Sequence, residues 1–168
     1  MNHIILIGFM GAGKTSLGEK VAGALGLRFT DTDRLIEKWQ QEKISDIFAR
    51  RGEAYFRDLE TETLRRLKKE KERMVIAVGG GLPVREENRR LMRELGTVIY
   101  LKAKTETLLA RLAGDTTRPK LAGGDLRKNI ERLMAEREDI YREAAQIEFV
   151  TDGKSLEVAA KEIENIVL

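Results

Sequence analysis

The sequence predicts an α/β protein, a three-layer α/β/α fold around a five-stranded parallel sheet. Three observations point there. Short Val/Ile-rich runs alternate with segments of helical periodicity along the whole chain. The runs themselves show no polar–apolar alternation, so each strand is expected to be covered on both faces, as in parallel sheets. Glycine-rich and acidic stretches follow directly after strand runs, where ligands sit in such folds.

The elements follow in order. HIILI at 3–7 is the first strand, and a glycine-rich turn leads from it into a helix ending near Leu25. LRFT at 27–30 is the second strand. Helical periodicity fills about 34–71, with breaks expected near Ser45 and Gly52. MVIAV at 74–78 is the third strand, running into GGGLP and a helix to about Leu95. TVIYL at 97–101 is the fourth, followed by a helix from Thr105 to about Leu112. Residues 113–125, rich in Gly, Thr and Asp, read as a loop, and a charged helix runs from about Asp125 to Arg142. IEFVTDG at 147–153 gives the fifth strand and a turn, and a last helix closes the chain.

Composition narrows the function. A length of 168 residues suits a single domain over 1–168. With 42% hydrophobic and 35% charged residues, the chain has a folded, globular composition. The absence of cysteine excludes disulfides, thiolate metal sites and a cysteine nucleophile. His3 is the single histidine, so histidine metal clusters are excluded and a structural role is expected for it. The net charge of +3 is spread along helix faces; no Lys/Arg block is interleaved with aromatics, so no nucleic-acid partner is expected. No signal peptide and no run of membrane-spanning length is evident, so a cytoplasmic protein without a membrane partner is expected.

The strongest motif is GFMGAGKT at 8–15, a full match to G-x-x-x-x-G-K-[ST] between a strand and a helix. Its glycines permit a tight loop with N–H groups turned inward, and the helix N-terminus adds positive potential. Lys14 then reaches the β- and γ-phosphates, and Thr15 offers a hydroxyl to Mg²⁺. No guanine-reading N-K-x-D follows a late strand, so a GTPase switch is disfavoured. A small-molecule kinase leads, and a regulatory ATP-binding protein is the alternative.

Further residues suit the acceptor side. Asp31 and Asp33 of FTDTDR stand after the second strand, open to metal support, proton abstraction or helix capping. The third strand ends in glycine rather than an acid, which makes Asp31 the nearest carboxylate for a metal. Arg57 and Glu60 are three apart and share a helix face. Gly79, Gly80 and Gly81 imply either close approach of backbone to a ligand or a loop forced through positive φ. Arg118 lies in the long loop 113–125, suited to a lid that closes on phosphates. Trp39, the only tryptophan, would report ligand binding if it stands near the acceptor helices.

Together these motifs resemble the shikimate kinase family. The resemblance rests on GFMGAGKT, DTD at 31–33, GEAYFRDLE at 52–60, GGG at 79–81, RP at 118–119 and ER…Y at 136–141, and spans nearly the whole chain. It implies a P-loop kinase of the nucleoside monophosphate kinase-like fold, with a helical substrate-binding region near 31–60 and a lid near 113–125. It implies ATP-dependent phosphorylation of the 3-hydroxyl of shikimate, with Mg²⁺, by a monomer. Asp33 would bind that hydroxyl as catalytic base, with Lys14 and Arg118 as the other catalytic groups. Arg57 and Arg137 would clamp the shikimate carboxylate, Glu60 would orient Arg57, and Phe48 and Phe56 would wall the ring. Gly79, Gly80 and Gly81 would present N–H groups to substrate. Gly11, Ala12, Gly13, Lys14, Thr15 and Ser16 would hold the phosphates, with Thr15 and Asp31 at the metal. Arg111 and Lys154 would lie near adenine. The lid reads RPKL where the family pattern has RPLL, placing Lys120 in a position of its own.

Overall fold

The computed structural model describes residues 2–113, 121 and 123–168. Five strands form one parallel sheet in the order β2-β3-β1-β4-β5. The strands are β1 (His3–Ile7), β2 (Arg28–Asp31), β3 (Met74–Ala77), β4 (Gly96–Lys102) and β5 (Ile147–Val150). The helices are α1 (Lys14–Leu25), α2 (Thr32–Gln40), α3 (Ile44–Leu67), α4 (Glu86–Leu95), α5 (Thr105–Leu112), α6 (Leu126–Ala144) and α7 (Leu156–Val167). A short 3₁₀ turn covers Leu82–Val84.

Every residue of β1 and β3 is buried, as expected for strands covered on both faces, whereas the edge strands β2 and β5 depart from that expectation, with Phe149 their one buried residue, because each has a neighbour on one side only. On one side α1 packs with α7 and against β3; elsewhere α4 lies on β1 and β4, flanked by α3 and α6. Their apolar faces merge into one large core running from Ile4 to Ile163. A second, smaller cluster of Ile36, Ile47 and Phe56 joins α2 to α3 away from the sheet.

The predicted strands and helices are all present with several boundaries shifted: β2 lies one residue later than expected, the helical stretch expected to reach 71 ends at Leu67, and most of the loop expected at 113–125 lies outside the described residues. Helix α2 begins at Thr32, earlier than expected, because Asp31 caps it: Oδ1 accepts the N–H groups of Asp33 (2.9 Å) and Arg34 (3.3 Å). Such a cap is worth about 1 kcal/mol. The break expected near Ser45 falls at Gln41–Lys43, where Gln41 takes a left-handed φ of 54°. Glu37 then ties the two helices by accepting the Ile44 N–H at 3.0 Å. The break expected at Gly52 is a kink within α3, with φ 83° and ψ 173°. A Cβ there would meet nothing within 4 Å, so Gly52 is needed for its backbone angles and not for space.

His3 is structural: it is buried, and its Nδ1 accepts the Met74 N–H at 3.0 Å, joining the edge of β1 to β3. Burial lowers its pKa from the usual 6.5. The unfolded chain therefore binds a proton that the folded one refuses, and the contribution of His3 to stability is present above about pH 6.5 and lost as pH falls through the lowered value. Urea denaturation at pH 7.5 and 5.5 should show a smaller loss on acidification for His3→Gln than for the natural chain; equal losses would contradict this role.

Candidate active site

All five strands end on one rim, and the candidate residues follow those ends. The phosphate loop follows β1. Gly11 and Gly13 hold φ of 85° and 90°, which a side chain rarely adopts. Lys14 is folded back on the loop, its Nζ donating to the carbonyls of Gly8 (2.6 Å) and Phe9 (3.1 Å). The hydroxyl of Thr15 donates to Asp31 Oδ2 at 2.7 Å, so the carboxylate that caps α2 also leans on the loop. Gly11, Gly13, Lys14, Thr15, Ser16 and Asp31 line a cavity of about 390 Å³.

A second cavity, of about 380 Å³, lies beside it between α2, α3 and α6. Asp33, Phe48, Phe56, Arg57, Glu60, Gly79, Gly80, Gly81 and Arg137 all line it. Asp33, Met10, Gly79 and Gly80 belong to both cavities and form their common wall. The rings of Phe48 and Phe56 meet at 4.9 Å on one side.

None of the three glycines has a positive φ, and at Gly79 and Gly81 it is space that excludes a side chain. A Cβ on Gly79 would fall 2.6 Å from Asp33 Oδ1 and 3.1 Å from Glu60 Oε2. A Cβ on Gly80 would lie 3.3 Å from Arg137 Nη1, and one on Gly81 would overlap the Arg57 guanidinium, 2.6 Å from Cζ. The Gly79 N–H donates to the buried hydroxyl of Thr32 at 3.0 Å, so it is engaged by the protein rather than turned to a ligand.

Arg57 and Glu60 pair at 2.5 Å in a buried setting, and Glu53 adds a contact at 3.2 Å. Burial works against the charge on Arg57, but Glu60 and Glu53 outweigh it and hold its pKa above the ordinary value. Burial dominates at Glu60 itself and pushes its carboxyl up to about 7; Arg57 pulls it down and nearby Asp33 pushes it up. Two buried atoms here have no hydrogen-bond partner: Glu60 Oε2 and Arg137 Nη1. Unpaired buried polar atoms cost roughly 1–3 kcal/mol each, a cost that a polar ligand can remove.

A third cavity, of about 330 Å³, lies across the phosphate loop and is lined by Ala12, Gly13, Ser16, Arg111, Thr151 and Lys154, among others. Arg111 donates to the Gly11 carbonyl at 3.0 Å. Asp152 fixes the start of α5 by accepting from Lys104 N–H (3.0 Å) and the Thr107 hydroxyl (2.6 Å). The Lys154 ammonium is held by Glu162 at 2.7 Å and lies over Phe149. Arg118 and Lys120 lie outside the described residues.

Sequence reading missed Met10, Thr32 and Tyr141, whose hydroxyl donates to the Gly80 carbonyl at 2.6 Å. The T of DTD and the Y of ER…Y marked two of them, without indicating a role. Trp39 is on α2 but does not line the acceptor cavity; Arg66 covers its ring.

A strand–loop–helix phosphate site beside an acceptor cavity of carboxylates and arginines defines a P-loop small-molecule kinase. A sequence model described as Shikimate kinase matches residues 10–167. Shikimate kinase from Persephonella marina is 46% identical over 155 residues, covering 92% of this chain and 92% of that protein. That from Geobacter metallireducens is 43% identical over 97% of this chain and 90% of its own length. Among solved structures, shikimate kinase from Acinetobacter baumannii in complex with shikimate aligns with a TM-score of 0.95 at 34% identity, covering 99% of this chain and 93% of that one. The chain belongs to the shikimate kinase family.

The raised value at Glu60 has a consequence for stability. The folded chain holds this proton where the unfolded chain has released it, so the contribution is fully present below about pH 4.5 and is lost as pH rises through about 7. Carbon-13 NMR of the Glu60 carboxyl in the ligand-free protein should titrate with a midpoint near 7. An ordinary midpoint near 4.5 would contradict burial as the dominant influence on this carboxyl.

Proposed function

We propose that this chain transfers the γ-phosphoryl group of ATP to the 3-hydroxyl of shikimate, giving shikimate 3-phosphate and ADP on the route to aromatic amino acids. The observation that carries this reading is the placement of Asp33 in the wall shared by the phosphate cavity and the acceptor cavity. A carboxylate there reaches both the acceptor hydroxyl and the phosphoryl group that the hydroxyl attacks.

Asp33 takes the proton of the attacking hydroxyl. Arg57 and Arg137 hold the carboxylate of shikimate, with Glu60 fixing the orientation of Arg57 and Phe48 and Phe56 bounding the ring. Since the Gly79 N–H serves Thr32, substrate meets the N–H groups of Gly80 and Gly81. ATP lies with its phosphates on Gly11, Ala12, Gly13, Lys14, Thr15 and Ser16 and its base beside Arg111 and Lys154. Because phosphoryl transfer has a loose transition state, positioning and charge neutralisation outweigh base strength, and Lys14 supplies charge at the loop.

The residues present fit Mg²⁺. That ion keeps several waters and needs only one or two protein groups beside phosphates. Thr15 offers its oxygen, and both carboxylate oxygens of Asp31 are already engaged, one by the Thr15 hydroxyl and one by the α2 cap. Thr15 would therefore hold the ion directly and Asp31 through water. When bound, Mg²⁺ neutralises charge on the transferring phosphate.

Residues 1–168 act as one kinase unit, with 31–60 binding the acceptor and 113–125, including Arg118, forming the lid. Among the described residues no helix is long and apolar enough to cross a membrane. A cytoplasmic monomer acting without nucleic acid fits the composition.

ADP release from MgATP should depend on shikimate and not on gluconate or AMP; equally slow release with all three would contradict the assignment. In the same assay Asp33→Asn should lower kcat by about 10²–10⁴-fold with little change in the KM for ATP. A near-normal kcat would remove Asp33 as the base.

A further inference from the structure

A pair of buried tyrosines stands behind the glycine segment. Tyr141 on α6 is fully buried, and its hydroxyl donates to the Gly80 carbonyl at 2.6 Å. Its ring packs on Tyr100 of β4, with centroids 5.2 Å apart. The Tyr100 hydroxyl donates to Glu138, which Lys102 (3.5 Å) and Arg142 (3.3 Å) hold in turn. The phenol of Tyr141 is therefore wedged in place. Phenylalanine would fill nearly the same volume, so packing alone does not explain the hydroxyl.

Two features give the hydroxyl a task. The peptide joining Gly80 and Gly81 is trans, so its C=O and N–H point in opposite directions. With the carbonyl held on Tyr141, the Gly81 N–H is turned away from the Tyr141 hydroxyl, and Gly81 itself lines the cavity against Arg57. The turn closed by the Leu82 N–H on the Gly79 carbonyl brackets this peptide, and two adjacent glycines impose little steric preference on its plane, so the Tyr141 hydrogen bond helps to set its orientation. The second feature is Arg137, one helical turn before Tyr141 on the same face of α6. It lies beside the Tyr141 hydroxyl, and its buried, unpartnered Nη1 lies against Gly80.

We infer that Tyr141 is a positioning residue for shikimate: its hydroxyl locks the Gly80–Gly81 peptide so that the Gly81 N–H meets the substrate beside Arg57 and Arg137. This rests on the proposal that the cavity lined by Asp33, Arg57 and Arg137 is the shikimate site. Tyr141 touches neither ATP nor the phosphate loop in this arrangement, so its effect falls on acceptor binding.

Tyr141→Phe should raise the KM for shikimate about tenfold, the loss of one buried hydrogen bond, and leave kcat and the KM for ATP within about twofold. Tyr100→Phe removes a hydroxyl from the same buried cluster and should leave the shikimate KM unchanged. In the natural protein labelled with nitrogen-15 glycine, the Gly81 amide resonance should shift on adding shikimate, a readout that does not depend on any variant folding. An unchanged KM in folded Tyr141→Phe, an equal rise in Tyr100→Phe, or an unmoved Gly81 amide would overturn the inference. Arg137→Ala separates the two levels. If it raises the shikimate KM while Tyr141→Phe does not, Tyr141 has no positioning role and the cavity stands. If neither variant changes it, the cavity reading itself fails.

Discussion

The proposed acceptor end of this protein depends on how closely charged side chains approach the backbone after β3. Asp33, Glu60, Arg57 and Arg137 come from three helices, and they converge on three residues that have no side chains. A single methyl group at Gly79 or Gly81 would occupy space already taken by a carboxylate or a guanidinium. The cost of three flexible glycines in a row is offset by a compact charged site that no bulkier loop would admit.

That compactness creates electrostatic tension. Burying Glu60 with one oxygen unpartnered, and Arg137 with one nitrogen unpartnered, is unfavourable. The Arg57–Glu60 pair is itself a weak source of net stability, since desolvation offsets much of its attraction. Breaking it, by contrast, leaves a buried charge uncompensated, at a cost of about 3–5 kcal/mol. The arrangement is therefore suited to holding a guanidinium still for an anionic ligand rather than to stabilising the fold. The exposed ion pairs of the helix faces, such as Lys20–Glu157, are screened by solvent and play no such part.

Much of this was legible in the sequence because it rests on local rules. GFMGAGKT specifies its loop by glycine placement, and the unalternated Val/Ile runs specify buried parallel strands. FTDTDR offered several roles for two aspartates; the structure gives Asp31 the cap of α2 and adds a hydrogen bond from the Thr15 hydroxyl that the sequence did not signal. The less legible features depend on contacts distant in sequence. Thr32 meets Gly79 across 47 positions and Tyr141 meets Gly80 across 61. A threonine in a helix's first turn and a tyrosine on an amphipathic helix carry no local sign of such partners. The reason for GGG was likewise open, because backbone freedom and spatial clearance look alike in sequence and separate only once φ values and neighbours are known.

Clearance above these glycines shapes the proposed shikimate site. Calorimetric titration of Gly81→Ala with shikimate tests it most directly. The added methyl displaces Arg57 from its seat against Glu60 while leaving the phosphate loop untouched. Shikimate affinity should fall by about tenfold or more while binding of a non-hydrolysable ATP analogue is unchanged. Shikimate binding of natural strength in the folded variant would contradict it.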